Sequence, residues 1–284
     1  MTLTDLLASG KLIQAPGASD ILTARIVEQA GFPAVYMTGF GATATTLGMP
    51  DLGLMTQSEM VDHARRMVRA TSLPVIADAD TGYGGLNNLL RTVEEYAQVG
   101  VAAIHLEDQT LPKRCGQLAG IQLVDADRQV RALKAAVRAR GNSGMLLIAR
   151  TDALGVLGIE EAIRRANLYA ETGVDLVFVD GVRSIAHAEA IARGVAARKV
   201  LSIVDGNETQ KLTARDIEGM GFDVVLYALS TLLAAARAAR EILDTLKSDG
   251  STIAAAGRMA TYDELMGMVG YDRFHDFEKE FAQP

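Results

Sequence analysis

The sequence lacks most of the features that mark secreted, membrane-bound or nucleic-acid-binding proteins. It contains one cysteine, Cys115, in 284 residues, which excludes an intramolecular disulfide and fits a reducing compartment. No uncharged run approaches the roughly 18 residues of a membrane span. Asp5 interrupts the N-terminal stretch where a signal peptide would need an apolar core. We therefore expect a cytoplasmic protein with no membrane partner.

Basic patches are also missing. The formal net charge is −7, and lysine and arginine occur singly or in helical runs such as residues 63–66, which is typical of a solvated helix face. Nucleic acid is therefore not an expected partner. With 49% hydrophobic and 22% charged residues, the chain has the composition of a globular protein that buries a sizeable core.

Apolar, strand-like runs alternate with helix-like segments along the chain, as in parallel α/β folds. The predicted strands are 12–15, 34–37, 74–77, 102–106, 145–149, 176–179, 200–204 and 223–226. The helical segments stop near Gly31, Gly100, Gly173 and Gly221, where helix C-caps are expected. Eight such units predict a single (β/α)₈ TIM barrel, with residues 1–284 as one α/β domain.

The segment 231–284 is predicted to be helical and to add apolar surface. Its apolar side chains between residues 262 and 281 are Leu265, Met266, Met268, Val269, Tyr271, Phe274 and Phe277. A loose tail does not need this much apolar surface. The segment either folds onto its own barrel or packs on a neighbouring subunit, and the sequence leaves both interpretations open.

Acidic residues follow two neighbouring predicted strands, at the end where barrels of this type carry their chemistry. Asp78 and Asp80 close the third strand, and Glu107 and Asp108 close the fourth. Four carboxylates at one mouth repel each other unless protonation or a cation neutralises them. An all-oxygen ligand set favours Mg²⁺ or Mn²⁺. The alternative is that some of these residues cap helices or pair with surface lysines.

Several stretches together resemble the isocitrate lyase and phosphoenolpyruvate mutase superfamily, in particular its methylisocitrate lyase and oxaloacetate lyase branches. The stretches are residues 36–39, 48–53, 78–84, 107–109, 112–116 and 148–153. The resemblance covers nearly the whole chain. It implies a homo-oligomer, often a tetramer of dimers whose subunits exchange their last helices.

The resemblance also implies a magnesium site. It makes Asp80 a direct ligand of Mg²⁺, with Asp78 and Glu107 binding through the water molecules of the metal. Asp51 would belong to the same acidic surround.

The substrate implied by the resemblance is a small 2-hydroxy or 2-oxo acid. Thr38, Gly39 and Phe40 would hold its keto-acid portion, and Arg150 would face its oxygens. A planar guanidinium suits this task because it binds two oxygens and stays charged, although Arg150 has a salt bridge within the barrel as its alternative. Tyr36 either hydrogen-bonds the substrate or fills the barrel.

Cys115 is implied to be the acid that protonates the carbanion released by cleavage. The positive charge of Lys113 and Arg114 beside it is expected to lower the pKa of the thiol. Lys113 and Arg150 complete the predicted catalytic set, and the alternative for Cys115 is a small buried thiol without a task. Glycines around this stretch predict a loop that closes over the substrate.

Three positions depart from the pattern of the tricarboxylate-cleaving branches. Gln117 stands where the isocitrate and methylisocitrate lyases have histidine, and Asp180 replaces the usual glutamate as a predicted substrate contact. Ile203 falls near the position of an asparagine that binds the far carboxylate. These changes favour a smaller or less charged tail, such as an alkylated malate.

The sequence therefore predicts a Mg²⁺-dependent carbon-carbon lyase that cleaves a small 2-hydroxy dicarboxylate through an enolate of pyruvate type. The alternatives are an oxaloacetate decarboxylase, a phosphonate mutase or hydrolase, and a ligand-binding barrel without catalysis. His105 alternates in phase with Glu107. We expect it to point into the barrel as a hydrogen-bonded core histidine.

Overall fold

A computed structural model describes residues 1–282 of the chain. Eight parallel strands follow one another in sequence order around a closed barrel, and the last pairs with the first. The strands are β1 (Ile13–Ala18), β2 (Val35–Met37), β3 (Val75–Asp78), β4 (Ala103–Glu107), β5 (Leu146–Thr151), β6 (Leu176–Val179), β7 (Lys199–Ile203) and β8 (Val224–Tyr227). The predicted (β/α)₈ barrel is confirmed. The last two residues of the predicted domain lie outside the described residues.

Helices surround the barrel and continue beyond its last strand. The α-helices are α1 (Leu3–Ala8), α2 (Ile21–Gln29), α3 (Gly39–Leu47), α4 (Gln57–Ala70), α5 (Leu86–Val99), α6 (Ala126–Arg140), α7 (Leu154–Leu157), α8 (Ile159–Ala170), α9 (Ile185–Gly194), α10 (Ala214–Met220), α11 (Ser230–Asp249), α12 (Tyr262–Val269) and α13 (Tyr271–Phe281). Short 3₁₀ helices cover Glu208–Lys211 and Ile253–Arg258. Within residues 1–282, no helix is long and apolar enough to cross a membrane.

The strands differ from the predicted ones mainly at their ends. The first predicted strand stops at residue 15, whereas β1 continues to Ala18 because Gly17 and Ala18 still pair with Tyr36 and Met37 on β2. An apolar run marks where side chains are buried, but a strand continues wherever its backbone stays paired.

Two layers of apolar side chains hold the fold together. Inside the barrel, Ile76, Ile148 and Phe178 belong to a cluster that also contains Leu3 and Leu7 of α1. Leu3 lies beside the residues that precede β3, β4 and β5, so α1 closes the N-terminal end of the barrel. A second, larger cluster fills the space between strands and helices. Only the C-terminal end of the barrel is left for polar chemistry.

Glycines end several helices as predicted. Gly100 and Gly221 cap α5 and α10 in the left-handed conformation, with φ of 87° and 84°, which a residue without a Cβ adopts at little cost. Gly31 and Gly173 also have positive φ, but they follow the capping residues Ala30 and Glu171. The predicted stops are therefore correct to within about two residues, the usual uncertainty of a helix end.

The C-terminal helices divide into a docked part and an exposed part. Helix α12 packs against α2 of the same chain, and Arg25 donates a hydrogen bond to the carbonyl of Met268 at 2.7 Å. On α13, Phe274, Phe277 and Phe281 are 65–67% exposed. Helix α12 therefore folds onto its own barrel, which is one of the two predicted arrangements. Helix α13 instead presents an apolar face that its own barrel does not cover.

Candidate active site

Side chains from the C-terminal ends of the strands surround a cavity of about 40 Å³. This volume holds little more than a water molecule, so a substrate can enter only when part of the wall moves. The predicted site residues that line it are Tyr36, Thr38, Phe40, Asp51, Asp78, Cys115, Arg150 and Asp180. Residues that are far apart in the sequence thus line one cavity. This agrees with their predicted positions at the C-terminal ends of the strands.

Arg150 lies at the centre of the site and is 5% exposed. Its Nη2 atom is 2.6 Å from Asp180, 2.8 Å from Asp152 and 3.2 Å from Glu107. Although burial alone would lower it, these carboxylates hold the pKa of Arg150 well above its usual range. The salt bridges considered as an alternative role for Arg150 are therefore present, and they orient the guanidinium towards the cavity.

Asp152 is a site residue that the sequence interpretation did not single out. Its carboxylate receives hydrogen bonds from both Nε and Nη2 of Arg150, and burial raises its pKa to about 6. The signal was available, because Asp152 follows Arg150 by two residues at a strand end and must share its side of the strand.

The acidic cluster at the ends of β3 and β4 is present but is rearranged. Asp78 and Glu107 end their strands, and the backbone amide of Asp80 donates to the Asp78 carboxylate at 2.9 Å. Asp80 itself has a φ of +46°, which is rare for a residue with a Cβ and is typical of functional turns. This turn brings the second aspartate back over the barrel mouth.

Asp108 corrects the prediction that four carboxylates converge at the mouth. It is fully buried on the outer side of the barrel, where it accepts hydrogen bonds from Thr151, Arg165 and Tyr169. The reason is strand alternation, since adjacent residues point to opposite faces and Glu107 already points inward. Asp108 instead supports the neighbouring strand end by accepting the backbone N–H of Asp152.

The remaining carboxylates form an oxygen-rich set that fits a hard cation. Both carboxylate oxygens of Glu107 are buried and accept no hydrogen bond from the described residues. Burial raises the pKa of Asp80 to about 6 and raises that of Glu107 well above its usual range. In both cases burial outweighs the opposing effect of Lys113, and for Glu107 that of Arg150 as well, so an added cation would favour the charged carboxylates.

The arrangement is open rather than a closed cage. Among residues 1–282, no three acidic, histidine or cysteine side chains are placed to enclose a metal ion on their own. Mg²⁺ commonly keeps several water molecules and binds through one or two carboxylates. The donor set formed by Asp78, Asp80 and Glu107 therefore fits this ion.

Asp78 differs from its neighbours because it is charged at all working pH values. Although burial would raise its pKa, the interaction with His105, the charges of Lys113 and Arg150 and a backbone hydrogen bond hold it at about 2. Gly39 lies against this carboxylate, and a Cβ at that position would be 2.4 Å from the Asp78 Oδ2 atom. Glycine is thus the residue that permits this close approach.

Thr38, Gly39 and Phe40 form the N-terminal turn of α3. The Thr38 hydroxyl caps the helix by accepting the amide of Gly41 at 3.3 Å. Thr38 and Phe40 also line the cavity. The first backbone N–H groups of a helix have no intrahelical acceptor and attract anions, so this turn can hold the carboxylate of a substrate as predicted.

Tyr36 and His105 connect the cavity with the barrel interior. The Tyr36 hydroxyl is 3.0 Å from the His105 Nε2 atom, and His105 is fully buried between the rings of Tyr36 and Phe178. Burial lowers the pKa of His105 to about 4, so it is neutral near pH 7. His105 is thus a hydrogen-bonded core histidine, as predicted, while Tyr36 both fills the barrel and faces the cavity.

The loop between β4 and α6 covers the cavity as a lid, here defined as residues 110–120. Gln109 holds its start by hydrogen bonds to the backbone N–H and C=O of Arg114, at 2.9 and 2.8 Å. The Cys115 amide donates to the backbone carbonyl of Asp51 at 3.1 Å. Gly116 fits tightly, because a Cβ there would be 2.3 Å from Asp180. The predicted closing loop is thus in its closed position.

Lys113 belongs to the lid, and its side chain lies among the carboxylates of the acidic cluster. Its Nζ atom is 2.6 Å from Asp80 and 2.8 Å from Asp51, and the side chain is 2% exposed. Burial opposes its charge, yet the surrounding carboxylates hold its pKa well above the usual range. Closure of the lid thus adds one permanent positive charge to the carboxylate cluster.

The prediction that Lys113 and Arg114 lower the pKa of Cys115 is wrong. Burial raises that pKa to about 11, and the charges of Asp180 and Asp51 add to this effect. Lys113 turns towards the carboxylates, and Arg114 is exposed. The thiol is therefore protonated near neutral pH, which is the state that an acid requires.

Ile203 also differs from its predicted position. It belongs to the outer apolar cluster between strands and helices, whereas Ser202 and Val204 line the cavity. The alternation of side chains along β7 explains the difference. The wall at this point is formed by a small hydroxyl and an apolar side chain.

Comparison with known proteins agrees with this site. Residues 3–247 match the phosphoenolpyruvate phosphomutase family. The chain is 38% identical over 280 residues to the 2,3-dimethylmalate lyase of Eubacterium barkeri, covering 99% of this chain and 97% of the relative.

Solved structures with the same fold include two that contain ligands. An oxaloacetate acetylhydrolase in complex with the inhibitor 3,3-difluorooxalacetate has a TM-score of 0.94 and 37% identity, covering 100% of this chain and 97% of that one. A phosphonopyruvate hydrolase with oxalate and Mg²⁺ has a TM-score of 0.90 and 30% identity, covering 100% of both chains. The chain belongs to the phosphoenolpyruvate phosphomutase family, as its motifs predict, and is a carbon-carbon lyase of that superfamily.

Proposed function

We propose that this chain is a Mg²⁺-dependent lyase that cleaves a small 2-hydroxy dicarboxylate of the alkylmalate type. One observation carries the proposal: Arg150 and the protonated thiol of Cys115 line the same cavity as Asp78, next to Glu107, whose carboxylate oxygens accept no hydrogen bond from the described residues. A guanidinium binds the oxygens of the substrate, and a thiol supplies a proton to carbon. Carbon-carbon cleavage needs both functions, one for each of the two fragments.

The lining of the cavity supports a substrate with a small, partly apolar tail. Of the described residues around it, Arg150 is the only one with a basic side chain, and Val204, Ala228 and Leu229 form an apolar part of the wall. A third carboxylate would meet no cation there, and a buried charge without a partner is costly. Methyl groups, in contrast, gain from contact with that wall.

Binding would begin with the hydroxy-acid end of the substrate. The backbone N–H groups at the start of α3, next to Thr38, would donate hydrogen bonds to its carboxylate, while Arg150 would face the hydroxyl oxygen. Asp80 would hold Mg²⁺ directly, with Asp78 and Glu107 acting through water molecules. When bound, the ion supplies positive charge that stabilises the oxygen anion developing during cleavage.

Cleavage breaks the bond between the hydroxyl-bearing carbon and its neighbour. The hydroxyl proton leaves to a base, the hydroxyl oxygen becomes the carbonyl of a 2-oxo acid, and the bonding electron pair remains on the departing carbon. Cys115 then donates its proton to that carbon and is left as a thiolate, which the charge of Arg150 would stabilise. The closed lid keeps bulk water away from the carbanion.

Oxaloacetate is a second candidate substrate, favoured by the likeness to the oxaloacetate acetylhydrolase structure. It is a four-carbon dicarboxylate with the same chain length as malate, and it would enter the same site when part of the wall moves. The acetylhydrolase forms oxalate as a product, so oxalate would indicate cleavage of oxaloacetate between carbons. Pyruvate from oxaloacetate would indicate decarboxylation, which the resemblance to the decarboxylase branch makes independent of Cys115.

A substrate panel tests the proposed function. The protein is incubated with Mg²⁺ and alkylated malates, malate, methylisocitrate or oxaloacetate, and pyruvate, glyoxylate and oxalate are measured. We expect an alkylated malate to have a kcat/KM at least about 100-fold above that of methylisocitrate, since the latter carries a third, unpaired carboxylate. Equal turnover of methylisocitrate, or no turnover of any 2-hydroxy dicarboxylate, would contradict the proposal.

We further propose that the chain works as a homo-oligomer in the cytoplasm, with α13 covered by a second copy. Support comes from the three exposed phenylalanines of that helix, and the free thiol fits a reducing compartment. Phe274→Glu together with Phe277→Glu is expected to reduce the mass in light scattering to that of a smaller assembly. Leu246→Glu, on an exposed part of α11, is the matched control. An unchanged mass of the double variant would contradict this packing.

A further inference from the structure

The lid contains an ion-dipole contact that the proposed mechanism leaves unused. Arg183, which follows β6, donates from Nε to the Gln117 side-chain oxygen at 3.2 Å and from Nη2 to the Gln117 backbone carbonyl at 2.5 Å. Gln117 lines the cavity next to Cys115 and Asp180. An exposed arginine thus fixes both the backbone and the side chain of a residue whose other side faces the site.

The chemistry of the two groups determines the orientation of the amide. A guanidinium has only donors, so the atom of Gln117 that meets Arg183 must be the carbonyl oxygen. The NH₂ group lies on the opposite side of the planar amide, away from Arg183. Within residues 1–282 no side-chain or backbone acceptor for this NH₂ group is found beside the contact with Arg183. These two N–H donors therefore have no acceptor among the described residues, and the side chain that carries them lines the cavity.

A substrate carboxylate bound near Gln117 would require hydrogen-bond donors. The titratable side chains beside it, Asp180 and Asp51, are both acidic, and the Nη2 atom of Arg150 already contacts three carboxylates. A second carboxylate on the substrate that entered this region would be buried without a donor, which costs free energy. The amide group of Gln117 offers neutral N–H donors on the lid side of this cavity.

We propose that Gln117 determines specificity by donating to the departing carboxylate of the substrate, and that Arg183 is the positioning residue that orients it. This inference rests on the proposed function. Cleavage leaves an electron pair on the carbon next to that carboxylate, and the charge spreads onto its oxygens. A donor aimed at these oxygens therefore binds more strongly as the bond breaks, so Gln117 also contributes to kcat. An uncharged amide fits a dicarboxylate substrate without a third acid group.

Binding of two probes of different length tests the inference without turnover. Dissociation constants for oxalate and for 3,3-difluorooxalacetate are measured by calorimetry with Mg²⁺. Oxalate occupies only the keto-acid end, whereas the four-carbon probe also carries the second carboxylate. We expect Gln117→Glu to raise the dissociation constant of the four-carbon probe by about 30-fold or more. The dissociation constant of oxalate should change by less than about 2-fold.

Gln117→Glu separates donation to the substrate from latching of the lid, because a carboxylate pairs with Arg183 better than an amide does but has no N–H group to donate. If Gln117 served only to latch the lid, this variant would bind the four-carbon probe as well as the wild type, and that result would overturn the inference. Equal weakening of both probes would also overturn it, since it would show a general loss of lid closure. Gln117→His, which keeps an N–H donor, should retain binding to within about 5-fold.

A double-mutant cycle tests the positioning role. In the wild-type background, Arg183→Met should raise the dissociation constant of the four-carbon probe about 10-fold. In the Gln117→Ala background it should have no further effect. Full effects in both backgrounds would show that Arg183 acts independently of Gln117. Failure of the wild type to cleave any 2-hydroxy dicarboxylate would instead contradict the proposed function, and the probe constants would still decide on Gln117.

Discussion

Cys115→Ser is expected to lower kcat for the 2-hydroxy dicarboxylate by about 10²–10⁴-fold, the usual contribution of a positioned acid or base. Serine keeps the shape of the side chain, but its hydroxyl is a far weaker acid than the thiol. The residue lies in the closed lid with its amide bonded to Asp51, so the backbone geometry should persist. Steady-state kinetics and calorimetry with oxalate measure the two effects, and oxalate affinity should change little.

Arg114→Ala is the matched control for the loss of activity in Cys115→Ser. Arg114 is adjacent and exposed, and it contacts Gln109 through its backbone rather than its side chain. Its removal should change kcat by less than about 3-fold, within the range of an ordinary surface substitution. Full activity of Cys115→Ser would show that another group protonates the product. Retained turnover of oxaloacetate alone would favour the decarboxylase alternative.

Asp80→Ala is expected to weaken Mg²⁺ binding by at least about 100-fold. Loss of an outer-sphere partner of a metal typically costs about 10- to 100-fold, and the proposal makes Asp80 a direct ligand. Calorimetry of Mg²⁺ binding to the protein without substrate measures this effect independently of activity. Asp125→Ala removes an exposed aspartate at the start of α6 that makes no capping hydrogen bond, and it should leave Mg²⁺ affinity unchanged.

The affinity for Mg²⁺ should also depend on pH in a defined direction. Burial raises the pKa of Asp80 to about 6, and a metal binds the deprotonated carboxylate. Affinity is therefore expected to fall as the pH decreases through about 6, with protons released on binding. A pH-independent affinity between pH 5 and 8, or unchanged binding in Asp80→Ala, would contradict the ligand assignment.

The fold follows from the sequence because its signals are local. Eight apolar runs, each followed by a helical segment and a glycine, give the strand count and the order around the barrel. Tyr36, Asp78, Arg150 and Asp180 line one cavity, since the C-terminal ends of parallel strands must meet there, whereas Asp108 lies outside the barrel.

The errors concern properties that depend on neighbours distant in sequence. The pKa of Cys115 is set by burial and by Asp180 and Asp51, not by the basic residues beside it. The Arg183–Gln117 contact joins residues 66 positions apart, so no local pattern signals it.

Strand alternation explains the remaining differences. It sends Asp108 and Ile203 to the outer face, and it places Asp152 inside with Arg150. These orientations were available from the sequence, because successive residues on a strand face opposite sides. Consistent use of that rule would have predicted all three positions.

The most direct test of the account is the reaction of the wild-type protein with Mg²⁺ and 2,3-dimethylmalate in D₂O, followed by proton NMR. Breakage of the bond beside the hydroxyl-bearing carbon, with delivery of one deuteron by the exchanged Cys115 thiol, predicts equal amounts of pyruvate and singly deuterated propionate. Absence of pyruvate, or release of carbon dioxide instead, would contradict the assignment of this site as a carbon-carbon lyase for 2-hydroxy dicarboxylates.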